Sequence, residues 1–333
     1  MRAAVLREAG RLAVEEVPRP EPEPGELLLR VRDCGICGSD LHAAHTLPPG
    51  TVMGHEFAGE VAALGSGVSG WDVGEPVVAL PYMACGSCAA CVAGDGIRCT
   101  TIRSLGLGDL PGAYAEYVRV HPESCLRIPD GIGFRAAALV EPLAVALHGV
   151  RMAPVAAGTG CLVMGAGPIG LTTLLWCRAM GAVTVVSDPA EGRAALARRL
   201  GATATADPAR EHPGSRLQGL TGRDPEVVFE CVGVRGTLND ALAQAGIRGT
   251  VVVLGVCFGA DEIVPGLAVM KELVVRFALA YTKDDFAAAL AALQERRLDV
   301  DALVTDVVTV EDAPQAFEAL MRPTTQGKVL IEF

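Results

Sequence analysis

Four cysteines, Cys85, Cys88, Cys91 and Cys99, fall within the fifteen residues CGSCAACVAGDGIRC. The spacing C-x2-C-x2-C-x7-C offers four thiolates and no open position, the ligand set of a closed tetrahedral zinc site. Such an ion crosslinks a loop too poor in apolar residues to fold by itself and does no chemistry. A second set lies upstream. Cys37 in CGICGSDLH (34–42), with His55 and Glu56 in GHE (54–56), supplies a thiolate, an imidazole and a carboxylate, all of which zinc accepts. The third motif is glycine-rich: Gly165, Gly167 and Gly170, with Pro168 and Ile169 inside the triplet, form G-x-G-x-x-G directly after the apolar run CLVM. A bare glycine triplet can be a turn that binds nothing. Here an acid stands at the far end of a strand–helix–strand unit, the arrangement that binds a dinucleotide. Asp188 follows Gly170 by 18 residues and closes VTVVSD. A carboxylate there accepts hydrogen bonds from both ribose hydroxyls of the adenosine half and repels a 2′-phosphate, which favours NAD over NADP. Arg193 pulls the other way if it pairs with a phosphate; otherwise it is a solvated residue on the first turns of the next helix.

These motifs need elements to hold them. LLLRV (27–31), EFAGEVAAL (56–64), PVVAL (76–80) and YAEYVRV (114–120) are short apolar runs punctuated by Gly and Pro, and read as strands of an all-β, barrel-like unit. FRAAALVEPLAVALHGV (134–150) changes to helical periodicity. From Gly160 the pattern alternates: strands at 161–164, 183–188, 226–233, 249–256 and 272–280, with helices expected from Pro168 to Met180 and from Arg193 to Leu200, the latter stopped by Gly201. Strands apolar on both faces and alternating with helices predict a parallel, doubly wound sheet. KVLIEF (328–333) reads as a final strand returning to the first domain.

Composition excludes several classes. The chain has 333 residues, half of them apolar, which suits two cores. A net charge of −11 argues against nucleic acid, which needs a basic face, and only Arg98 is basic between the four clustered cysteines. No run of 18 uncharged apolar residues offers a membrane span, and MRAAVLREAG lacks the apolar core of a signal peptide. The expected location is therefore the cytoplasm. An odd total of 11 cysteines fits metal ligation better than a full set of disulfides.

CGICGSDLH, GHE, the four-cysteine lobe, VEPLAVALHG (140–149), GAGPIG (165–170) and the terminal strand occur in one order along essentially the whole chain. In this the sequence resembles the zinc-dependent medium-chain dehydrogenases, of the branch containing sorbitol, threonine and butanediol dehydrogenases. The resemblance implies an α/β protein: a GroES-like β-barrel catalytic domain in two segments, 1–147 and 284–333, around a Rossmann domain at 148–283. It implies two zinc ions per chain and NAD. Cys37 and His55 become catalytic zinc ligands, Glu141 takes the place of a second cysteine, and Glu56 binds directly or through water. Asp40 would hold a ligand imidazole by its free N–H. The implied reaction is reversible hydride transfer between a secondary alcohol and NAD, with Ser39 taking the alcohol proton and His42 passing it toward solvent. Other substrates of the branch are polyols, cyclitols and amino alcohols. Relatives are homotetramers or homodimers.

Two further readings stand beside this one. A zinc-free reductase of the same fold would lack Cys37, His55 and the cysteine lobe, and a non-enzymatic NAD sensor would show a broken zinc or relay site; neither pattern is present. The substrate region departs from the polyol enzymes. Ala278 and Leu279 in RFALAYTKDD (276–285) align with an Arg–Tyr pair, although Arg276 and Tyr281 stand close by, and the loop 43–53 looks shorter. A pocket without those polar groups is expected to take a secondary alcohol with few hydroxyls, cyclic or bulky.

Overall fold

A computed structural model describes residues 1–322 and 325–333. The chain starts with an antiparallel hairpin of β1 (Arg2–Leu6) and β2 (Leu12–Glu16). It continues through β3 (Leu27–Gly35), α1 (Gly38–Ala43), β4 (Glu56–Leu64) and β5 (Pro76–Ala79). A lobe follows, made of β6 (Tyr82–Met83), α2 (Ala89–Val92) and β7 (Arg103–Ser104). After β8 (Tyr117–Val120) and β9 (Cys125–Arg127) come α3 (Phe134–Ala138) and α4 (Val140–Arg151). The alternating region comprises β10 (Gly160–Met164), α5 (Pro168–Ala179), β11 (Val183–Ser187), α6 (Glu191–Arg199) and β12 (Ala204–Ala206). It goes on through α7 (Pro213–Thr221), β13 (Val227–Glu230), α8 (Thr237–Gln244), β14 (Thr250–Val253), α9 (Pro265–Lys271) and β15 (Val274–Phe277). The chain closes with α10 (Lys283–Gln294), β16 (Val304–Thr309), α11 (Ala313–Leu320) and β17 (Lys328–Glu332).

Two large sheets result. One has seven strands, in the order β16-β17-β3-β4-β5-β9 with β8 also on β3. The other is parallel, in the order β12-β11-β10-β13-β14-β15, which renumbered from its own first strand is 3-2-1-4-5-6, the doubly wound dinucleotide-binding order. Its switch point lies between β10 and β13, directly above the glycine motif. Among the described residues no helix is long and apolar enough to cross a membrane.

Three expectations need adjusting. The helix expected over 134–150 is two helices, α3 and α4, because Pro142 has no N–H to bond the Ala138 carbonyl and its ring crowds that turn. Of YAEYVRV only Tyr117–Val120 joins the sheet; Tyr114 instead exchanges backbone bonds with Met53 and Ala4. The strand expected over 272–280 contracts to β15 and is not buried on both faces. It forms the sheet edge, where Val274 and Phe277 are exposed. The segment before KVLIEF, for which no element is expected above, contains β16, which pairs in parallel with β17.

Candidate active site and cofactor crevice

The central site forms where β3 ends, α1 begins and β4 starts. Gly35 is paired across the ladder with Glu56, and a Cβ at Gly35 would lie 2.1 Å from the Glu56 carboxylate, so only glycine lets that side chain settle there. Cys37 caps α1, and its backbone N–H donates to Asp40 Oδ2 at 3.1 Å. The Sγ of Cys37, a ring nitrogen of His55 and a carboxylate oxygen of Glu56 lie within 4.8 Å of one another. Nδ1 of His55 sits 3.1 Å from Asp40 Oδ1, an ion-pair contact whose alignment falls short of a hydrogen bond. This orients the ring so that Nε2 faces Ser39 Oγ, 3.3 Å away, and Ser39 Oγ in turn lies 3.1 Å from Cys37 Sγ. Burial opposes a charged His55, but Asp40 and Cys37 outweigh it and raise its pKa well above the usual value. A pocket that pulls positive charge onto its imidazole is one that a divalent cation fits, and the donors are of the kinds zinc takes.

Glu141, on the first turn of α4, is buried but does not join the three clustered donors. Burial and the neighbouring Glu56 carboxylate push it up to about 7. A divalent ion beside it would reverse that balance by supplying the missing positive charge. His42 is exposed on α1, three residues beyond Ser39.

The lobe gathers Cys85, Cys88, Cys91 and Cys99 within 4.8 Å. Two of the sulfur separations are 3.9 Å (Cys85–Cys91) and 3.5 Å (Cys88–Cys91). A regular tetrahedron with Zn–S bonds of ~2.3 Å has edges of about 3.8 Å, so the cage has the size of the ion. Backbone N–H groups of Ser87 and Cys88 lower the Cys85 thiol to about 5, which favours the thiolate that a metal needs.

The nucleotide motif is equally constrained. A Cβ on Gly170 would meet the Gly165 carbonyl at 1.9 Å, so the first turn of α5 can approach β10 only without a side chain. Beside Gly167 there is open space, at the N-terminus of α5, where a pyrophosphate would be received. Asp188 accepts from the Ala166 and Ala190 N–H groups, each at 2.8 Å, which ties the glycine turn to the end of β11. Arg193 is not the solvated residue of the bland expectation. It is half-buried, its Nε has no partner, and burial lowers its pKa against the pull of Asp188.

Residues 23–130 match the model of the alcohol dehydrogenase GroES-like domain, and residues 168–295 that of the zinc-binding dehydrogenases. The chain belongs to the zinc-dependent medium-chain dehydrogenases. This dehydrogenase is similar to the (R,R)-butanediol dehydrogenase of Bacillus subtilis (strain 168), at 33% identity over 99% of both chains. It is also similar to the sorbitol dehydrogenase of Gallus gallus, at 31% identity over 96% of this chain and 93% of that one. Among solved structures, the alcohol dehydrogenase TADH from Thermus sp. ATN1 superposes with a TM-score of 0.91, at 32% identity over 100% of this chain and 99% of that one. The dehydrogenase is thus an NAD-dependent oxidoreductase of zinc type with the two-domain α/β fold.

Sequence reasoning missed two residues of the dehydrogenase's centre, Lys328 and Tyr114, and placed a third, Tyr281, only in the substrate region. Lys328 is 1% exposed and donates both to Glu56 Oε1 at 2.7 Å and Oε2 at 2.5 Å, and to the Ile36 carbonyl at 3.2 Å. Burial alone would push Lys328 down, yet Glu56 and Cys37 hold it above its ordinary value. The Tyr114 hydroxyl donates to Asp40 Oδ2 at 2.5 Å and so fixes the carboxylate that faces His55. Tyr281 buries its hydroxyl beside Glu141 without a well-formed hydrogen bond, while Arg276 stays exposed on β15. Only the lysine had a signal: a charged residue opening an otherwise apolar strand.

Proposed function

We propose that Cys37, His55 and a carboxylate, Glu56 or Glu141, hold the catalytic zinc, and that Cys85, Cys88, Cys91 and Cys99 hold a second, structural one. The observation that carries this is the three-donor cluster with its imidazole oriented by Asp40. When bound, zinc supplies a Lewis acid and NAD a hydride acceptor. The chain's own residues do the rest. Gly165, Gly167, Pro168, Ile169 and Gly170 shape the turn that receives the pyrophosphate, and Asp188 accepts the adenosine ribose hydroxyls, with Arg193 alongside. Ser39 Oγ, in reach of both Cys37 Sγ and His55 Nε2, takes the proton of the substrate hydroxyl. His42, exposed one turn further along α1, releases it to water. Asp40, itself held by Tyr114 and the Cys37 N–H, keeps Nε2 rather than Nδ1 directed at the metal.

The catalytic domain comprises 1–147 and 284–333, and the NAD-binding domain 148–283. Val274 and Phe277 on the edge strand β15, with Val269 and Met270 on α9 beside it, leave an apolar, unpaired edge that a second copy of the chain would cover. This supports a homodimer, or a homotetramer built from it. The eleven unpaired thiols suit the reducing cytoplasm.

Replacing Cys88 with serine is expected to remove one of two zinc equivalents and to lower Tm, with the surviving folded protein still turning over. Metal analysis with thermal denaturation checks this; loss of turnover at unchanged Tm and zinc content would overturn the structural role.

The substrate is a secondary alcohol with few hydroxyls. Arg276 is exposed on the sheet edge, Leu279 is also exposed, and Tyr281 is turned toward Glu141, so none of the three stands ready to pair with several substrate hydroxyls. Each hydroxyl left buried and unpaired costs ~1–3 kcal/mol. Catalytic efficiency with NAD is therefore expected to be at least about tenfold higher for cyclohexanol or 2,3-butanediol than for sorbitol. Initial rates of NADH formation decide it, and a preference for sorbitol refutes the reading.

A further inference from the structure

The segment after β14 crosses from the nucleotide-binding sheet to His42 on α1, and it is anchored at both ends. At its start the Gly255 N–H donates to the Glu230 carbonyl at 2.9 Å, and Gly255 lies so close to Gly233 that a Cβ would come within 2.3 Å of its nitrogen. At its far end both carboxylate oxygens of Asp261 accept from the Gly236 N–H at 3.1 Å. Asn239 then bonds the backbone twice, to the Glu262 carbonyl at 2.5 Å and the Val264 N–H at 2.9 Å. Between these anchors residues 256–260 arch outward, and Phe258 stands at the middle of the arch. Its ring centroid lies 5.9 Å from that of His42, with the planes inclined at 57°. His42 sits one helical turn beyond Ser39, so the ring packs on α1 one turn from the hydroxyl beside Cys37 and His55. Apart from that contact the side chain is open, at 76% exposure, and Val256 next to it is 57% exposed. A large apolar ring held in place by its backbone and left uncovered gains most when an apolar group packs on it.

We propose that Phe258 is a specificity-determining residue: its ring forms the outer apolar wall of the substrate cleft and packs on the hydrocarbon substituent that a secondary alcohol directs away from the metal. This rests on the dehydrogenase reading above and names the part of the substrate that the outer cleft selects. Anchored at its far end by Asp261 and Asn239, the arch offers the ring as an apolar surface on which a larger substituent buries more area than a methyl group does.

The test compares the zinc-replete wild type with Phe258→Ala and Phe258→Leu, using cyclohexanol and 2-propanol with NAD. The ratio of kcat/KM for cyclohexanol to that for 2-propanol is expected to fall at least fivefold in Phe258→Ala, through KM, and to recover by half or more in Phe258→Leu. A readout without turnover accompanies it: the Kd of cyclohexanecarboxamide for the NADH-loaded protein, by calorimetry, should rise by a similar factor in Phe258→Ala. An unchanged ratio with an unchanged Kd overturns the role of Phe258 alone. A wild type that oxidises neither alcohol overturns the reading of the active site, and this proposal with it.

Discussion

Replacing His55 with alanine is expected to reduce kcat/KM by about 10³-fold or more, with the Kd for NADH changed less than twofold. A Lewis acid contributes several kcal/mol to the stabilisation of developing charge, and each 1.4 kcal/mol is a factor of ten. The His55 ring contacts Asp40 at Nδ1 and Ser39 at Nε2. Its loss therefore removes a donor and also the orientation that Asp40 imposes. Cys37→Ala is expected to behave alike, because its Sγ is the other atom in contact with Ser39. NADH binding should persist in both, since the glycine turn and Asp188 belong to the other sheet. Fluorescence titration with NADH, beside steady-state rates and zinc analysis, checks the pair. Near-native turnover in either variant would remove the metal centre from the mechanism.

The second large effect lies behind the metal. Replacing Lys328 with methionine leaves the Glu56 carboxylate buried without its cation. Breaking a buried pair by removing one partner costs about 3–5 kcal/mol, whereas replacing both by neutral groups is often close to neutral. For a protein of this size that is a fall in Tm of about 4–7 °C. The double variant Glu56→Gln with Lys328→Met is expected to recover more than half of the loss. Calorimetric scans of the zinc-replete proteins measure both. If the single variant melts within about 2 °C of wild type, roughly the shift that 1.4 kcal/mol would produce, the pair is not an uncompensated-charge device. The contact has a chemical consequence too. With both oxygens of Glu56 on Lys328 Nζ, that carboxylate would share its charge between the lysine and a metal, meeting the ion through its remaining lone pairs. The lysine therefore bears on which of Glu56 and Glu141 completes the ligand set.

Much of this centre was legible in the chain. The ligand types in CGICGSDLH and GHE, the four-cysteine spacing and the glycine turn with its distant acid each encode their chemistry within a few residues or one strand–helix–strand unit. Their identities survive any uncertainty about element ends. The boundaries themselves were less legible. Pro142 divided a helix that periodicity joins, because periodicity records which face is apolar and not where a backbone donor is missing. β15 read as a buried strand because its composition is apolar, yet its place at the sheet edge leaves Val274 and Phe277 exposed.

By itself, then, the sequence determined the donor atoms, the class of cofactor and the two kinds of sheet, since these follow from side-chain chemistry and local spacing. Only the tertiary structure decided the partners of those donors. Lys328 reaches Glu56 across 272 residues because β17 pairs with the end of β3, and Tyr114 reaches Asp40 across 74. Phe258 meets His42 because the segment after β14 reaches α1. Such contacts depend on strand order and on how two sheets are set against each other. No periodicity along the chain carries that information, because burial patterns say that a side chain is inside and not which distant group it will touch.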